Sequence, residues 1–190
     1  MTITVAAVAL VYASHEQRVW LAYQRKLFAA HTLYFREIDQ LHENAVTEYW
    51  AMKPDKFKFR EPDGTVTLSI GEKGWRKKPG ENWEAIDTSR EGSLSMPGAF
   101  GGFWMRTSSD SEFDIIGKPS WVMYLGKRVK TIEVKTSESA IFFGTDRILY
   151  SNGQPVGHHA LERNDVMSDS TYDRIKLNIK IDKSQFSPPN

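Results

Sequence analysis

The chain contains no cysteine, which excludes disulfide staples, thiol nucleophiles and cysteine-based zinc sites. No apolar run approaches the length a helix needs to span a bilayer. The formal charge is only +1, so there is no general cationic surface to displace phosphate counterions, and sequence-specific nucleic-acid binding is not expected. The Asn-x-Ser/Thr acceptor is absent, as are the glycine patterns of dinucleotide and Walker sites. Gly92-Ser93-Leu94-Ser95-Met96 lacks the Gly-x-Ser-x-Gly pattern of a nucleophile elbow. These absences leave no catalytic residue to name and no cofactor to expect.

What is present is 190 residues with 40% apolar, 12% aromatic and 26% charged side chains. That is enough to fill one core and too hydrophobic for a disordered polyelectrolyte. The opening Thr2–Ala13 is apolar but lacks the basic start of a signal peptide, and reads as an ordered arm or edge strand of a soluble, cytoplasmically made protein. Ser14 and Gln17 have capping-box spacing, and neither glycine nor proline follows until Pro54. Trp20, Leu27, Tyr34 and Leu41 recur every seven residues beside Leu21, Phe28, Phe35, His42 and Tyr49. The spacing predicts one long helix, or two nearly collinear ones, closed by Pro54. At about 1.5 Å per residue it would reach about 58 Å, longer than a domain of this size, so part of its apolar stripe is expected to be covered by another subunit.

Beyond Pro54 the periodicity becomes alternating. Phe57 and Phe59, the turn Pro62-Asp63-Gly64, and Val66, Leu68 and Ile70 read as a hairpin. Strand patterns recur over 121–125, 129–135 and 140–143, and Asn152-Gly153 is a hairpin turn. Ala160–Ser170 reads as a short helix, and Ile175, Leu177, Ile179 and Ile181 as a closing strand. Gly71–Gly80 and Ser89–Gly102 read as long loops. The fold class is therefore α+β: an arm and long amphipathic helix over 1–53, then an antiparallel sheet or sandwich over 54–190.

Charge falls in blocks. Residues 53–80 hold 8 Lys/Arg against 4 Asp/Glu, residues 81–117 hold 2 against 7, and residues 118–135 hold 5 against 1. Opposed patches suit head-to-tail association, although solvated faces look the same. The interface residues expected on this reading are Trp20, Leu27, Phe28, Phe35 and Tyr49 on the stripe, with Arg76, Lys77 and Lys78 meeting Asp110 and Glu112 of a neighbouring copy.

The remaining chemistry is sparse. His158 and His159 stand near Glu162, Asp165 and Asp169, but adjacent strand residues point to opposite faces, so they read as an ordinary pair rather than metal ligands. His31 and His42, about 16 Å apart on a helix, are too far apart to share an ion. Asp110, Glu112 and Asp114 would line one face of an extended segment, where a glycosidase or a cation site needs carboxylates, yet the serines around them fit a wet surface. Trp75, Trp83, Trp104 and Trp121 could form a sugar-stacking platform or serve as core anchors.

Trp83-Glu84-Ala85-Ile86-Asp87-Thr88-Ser89-Arg90-Glu91-Gly92-Ser93-Leu94 resembles segments of tailed-bacteriophage tail-completion and virion-morphogenesis proteins. Phe143-Gly144-Thr145-Asp146 with Tyr150 is similar to a strand end of the same kind. The resemblance implies a non-enzymatic virion protein, assembled in the host cytoplasm as a homo-oligomeric ring at the neck or tail terminus and contacting other virion proteins but no membrane. A tail-tube or capsid-decorating subunit is the near variant. The alternative from another class is a carbohydrate-binding module or small glycosidase.

Overall fold

The apolar row beginning at Trp20 does fold as a helix, α1, but it runs only over His15–Ala29. A computed structural model of the chain describes residues 15–87, 100, 113–136, 145–162 and 165–187. After α1 the chain turns into strands: β1 (Thr32–Asp39), β2 (Ala45–Met52), β3 (Lys56–Arg60), β4 (Val66–Ile70), β5 (Lys73–Lys77) and β6 (Glu84–Ile86). Then come β7 (Phe113–Tyr124), β8 (Lys127–Thr136), β9 (Thr145–Ser151), β10 (Gln154–Glu162) and β11 (Asp165–Leu177). All eleven lie in one antiparallel sheet ordered β6-β5-β4-β3-β2-β1-β11-β10-β9-β8-β7.

The expected α+β chain with a long helix is thus corrected to a mainly β fold with, among the described residues, one short α-helix. The stretch from Thr32 is dense in aromatic and β-branched residues, which prefer a pleated surface, and long-range partners satisfy the helix end. The His31 amide donates to Asn178 Oδ1 at 2.9 Å, and the Lys53 ammonium donates to the Phe28 carbonyl. The β1–β2 turn uses no glycine. Asp39 Oδ1 accepts from the amides of Leu41 (2.8 Å) and His42 (3.2 Å), while Glu43 and Asn44 take φ of 52° and 58°.

Two further expectations change. Residues expected in a basic loop form β5, and Ala160–Glu162 and Asp165–Ser170, expected in a short helix, belong to β10 and β11. The hairpin at Asn152-Gly153 is present, with both residues at positive φ.

Strand register sorts the side chains. On the face carrying α1, Leu33, Phe35, Ala51, Phe57, Phe59, Ile132, Ile148, Tyr150 and Tyr172 pack with Trp20, Tyr23 and Leu27. Phe100 stacks on Phe35 at 3.9 Å and meets Tyr172 edge-on at 4.9 Å. The opposite face of β2–β5 carries a second cluster of Leu68 with Ile181 and Phe186, flanked by Trp50, Met52, Ile70, Trp75 and Trp83. The C-terminal segment lies against it, its 3-10 turn Lys183–Phe186 capped by Asp182.

The two halves of the sheet meet where β1 pairs with β11. On the α1 face of that seam the Tyr49 hydroxyl donates to Glu37 Oε2 at 2.8 Å, and Ser170 adds a second hydrogen bond. His158 Nδ1 lies 3.8 Å from Glu37 Oε1 and 2.5 Å from the Tyr172 hydroxyl. Burial pushes the Glu37 carboxyl above its ordinary range, only partly offset by Tyr49 and Ser170. On the other face Arg36 Nε donates to Asp173 Oδ1 at 2.7 Å.

Two outcomes follow from this packing. Leu27, fully buried, should cost about 2–5 kcal/mol when changed to alanine, read as a shift of the urea midpoint at constant slope. Glu37 binds its proton more tightly folded than unfolded, so stability falls as pH rises from 4.5 through its raised folded value. Glu37→Gln removes that fall. The variant-minus-wild-type stability should therefore climb with pH above 4.5 in thermal unfolding, whereas a flat difference would contradict the assignment.

Candidate functional site

Alternation places Trp121 and Met123 of β7, Arg128 and Lys130 of β8, and Tyr150 of β9 on the α1 face, because Trp121 pairs with Lys130, Met123 with Arg128, and Lys130 with Tyr150. The first turns of α1 overhang this end of the sheet. Between them lies a cleft of about 330 Å³ lined by Val19, Trp121, Arg128, Lys130, Ile132, Tyr150 and the turn Ser151–Gly153. A second cleft of about 390 Å³ opens on the other side of Val19, lined by Ala22, Tyr23, Lys26, Gln154, Ile175 and Leu177, and shares Asn152 and Gly153 with the first. Both volumes fall at the low end of small-ligand sites, which span roughly 300–1,000 Å³.

The first cleft has an apolar base and a cationic mouth. Arg128 Cζ stands 4.6 Å and Lys130 Nζ 5.0 Å from the Trp121 ring centroid, so the indole holds both cations beside the opening. At the base, Trp20 and Tyr23 meet Tyr150 edge-on at 5.5 and 6.3 Å. The Tyr23 and Tyr150 hydroxyls are buried and have no hydrogen-bond partner among the described residues. Burial pushes both phenols well above their ordinary range, so both remain protonated donors.

The expected interface residues are scattered by the fold. Trp20, Leu27 and Phe35 are buried within the chain, Tyr49 is half-buried under Phe35 and Glu37, and Phe28 is exposed with the Lys53 ammonium 4.9 Å from its ring centroid. Arg76 and Lys77 lie on β5 and Lys78 follows it, with Lys77 and Lys78 exposed. Asp110 and Glu112 lie outside the described residues, as do Thr2–Ala13 and Trp104, while Asp114 enters β7.

His158 faces the Glu37 seam and His159 the opposite side, beside Asp169 and Tyr124. His42 sits in the β1–β2 turn on Asp39, and His31 between α1 and β1, so the shared helix face expected for them is absent. No three His, Asp or Glu side chains among the described residues converge to hold a metal ion. Trp75 and Trp83 belong to the cluster under the C-terminal segment and Trp121 to the other face, so they do not form one platform.

Sequence reasoning missed Tyr150, Arg128 and Ile132 as cleft residues. Their signal was Arg128, Lys130 and Ile132 at every second position, which share one face of β8, with Tyr150 paired to Lys130; it became meaningful only once α1 was known to stop at Ala29.

No protein-family model matches the chain, and no curated protein sequence does. Solved structures do. An uncharacterised conserved protein from Thermus thermophilus is 12% identical over 93% of this chain and 95% of its own, with a TM-score of 0.54, and shares the fold. The Pseudomonas aeruginosa MucA/MucB complex matches at 12% identity over 90% of this chain and 60% of that one, with a TM-score of 0.45. A LolA superfamily protein from Nitrosomonas europaea is 11% identical over 90% and 97%, with a TM-score of 0.37. The one of these folds the chain shares is that of a bacterial protein, and no comparison gives a phage tail protein, so the expected virion identity, its neck or tail role, its homo-oligomeric ring and its virion location are withdrawn.

Proposed function

We propose that the protein is a non-catalytic binding protein that holds an amphipathic small molecule, an apolar chain ending in an anionic group, in the cleft between α1 and β7–β9. The observation that carries this reading is one cleft with an apolar base of Val19, Ile132 and Tyr150 and a mouth where Arg128 and Lys130 stack on Trp121. An apolar chain gains from leaving water along the base. The anionic end gains charge-assisted contacts at the mouth, worth about twice a neutral hydrogen bond.

Titration with dodecyl phosphate and with dodecanol, followed by calorimetry, tests the reading. The phosphate is expected to bind and the alcohol to bind much more weakly. Val19→Trp, which fills the cleft from the half-buried helix side, should abolish binding. Arg128→Gln combined with Lys130→Gln should weaken it about tenfold to a hundredfold, as expected for losing charge-assisted contacts to the anionic group. Equal affinity for the alcohol, or undiminished binding by Val19→Trp, contradicts the proposal.

A further inference from the structure

The hairpin of β7 and β8 carries a second feature at its tip. Trp121, Met123 and Leu125 are 53%, 69% and 63% exposed, far more than large apolar side chains usually retain in a folded domain. Trp121 and Met123 share one face by register, and Leu125 stands in the turn at φ 47°. Along the hairpin itself the charge has one sign, although Asp169 of β11 accepts from the Tyr124 hydroxyl on the other face. Residues 115–132 contain Lys118, Lys127, Arg128 and Lys130 and no Asp or Glu. The hairpin is also the end of the sheet, since β7 is its last strand.

We propose that this tip is a peripheral docking surface for an anionic lipid bilayer. Tryptophan with its polar ring edge suits the headgroup level of a membrane. Met123 and Leu125 extend beyond it as the apolar wedge, and cations flanking such a wedge are drawn to anionic headgroups at about fivefold in partition each. Arg128 and Lys130 already hold their charged heads over the Trp121 ring, so cation and indole are presented together at the headgroup level. A protein partner is disfavoured by size, because three apolar side chains on one tip fall far short of the roughly 20–30 residues a side of a standard interface. No described helix is long and apolar enough to cross a membrane, so the contact proposed is through the hairpin. Docked this way, the cleft mouth beside Trp121 faces the lipid.

The test is flotation of the full chain with vesicles of phosphatidylcholine alone or mixed with phosphatidylglycerol. The protein should float with the anionic vesicles only and be released by high salt. Met123→Asp combined with Leu125→Asp should abolish flotation, and Lys127→Gln should weaken it about fivefold. All three side chains are exposed, so these variants should keep the wild-type circular dichroism and melting temperature. The cleft-filling Val19→Trp should float like wild type; its loss of flotation would mean that lipid is held by the cleft, overturning the hairpin assignment. Equal flotation on neutral vesicles, or undiminished flotation of the hairpin variants, also overturns it. A wild-type protein that stays in the aqueous fraction does the same and leaves the tip as a protein-docking surface.

Discussion

The structure depends on one packing requirement: the apolar row of a fifteen-residue helix can be covered only by a surface that both halves of the chain build together. Trp20, Tyr23 and Leu27 pack in one cluster with β1–β3 on one side and β8–β11 on the other. That surface exists only because β1, the strand next to the helix in sequence, pairs with β11, the last strand, across the middle of the sheet. The pairing closes a loop of more than a hundred residues, whose entropy grows only slowly with length. The aromatic cluster of Phe35, Phe100 and Tyr172 at the seam is large enough in buried area to offset it.

The same arrangement explains where the protein is open. The C-terminal segment from Ile179 to Phe186 covers the far face of β2–β5, and α1 covers the middle of the near face. A helix of this length, about 22 Å, cannot also blanket eleven strands spaced about 4.8 Å apart. The clefts at Val19 lie where the helix runs out over β7–β10, and the cations and exposed apolar tip collect at that same end. Among the described residues, the proposed binding cleft is a consequence of incomplete coverage.

Much of the local structure was legible in the sequence. The β3–β4 hairpin around Pro62-Asp63-Gly64 and the Asn152-Gly153 turn announce themselves through residues that specify backbone conformation locally. The helix end did not, because its signals lie far away: Asn178 accepts from the His31 amide and Lys53 reaches the Phe28 carbonyl. The β1–β2 turn was hidden because Asp39 and Asn44 do the work usually assigned to glycine. A seven-residue recurrence of aromatics was therefore read through three elements as if they were one. Of the cleft, the cationic block at 118–135 was visible, but not its chemistry. Which face its side chains share, and that Val19 stands opposite them, are properties of the register and of where α1 stops.

The central claim is that a guest occupies the space between α1 and β7–β9. Backbone and side-chain chemical shifts of the labelled protein, followed during titration with dodecyl phosphate, address it residue by residue. The account predicts that the largest changes gather at Val19, Trp121, Arg128, Ile132 and Tyr150, with Trp50 and Trp75 on the opposite face unmoved. Changes centred on that opposite face, or none at all at saturating ligand, would contradict it.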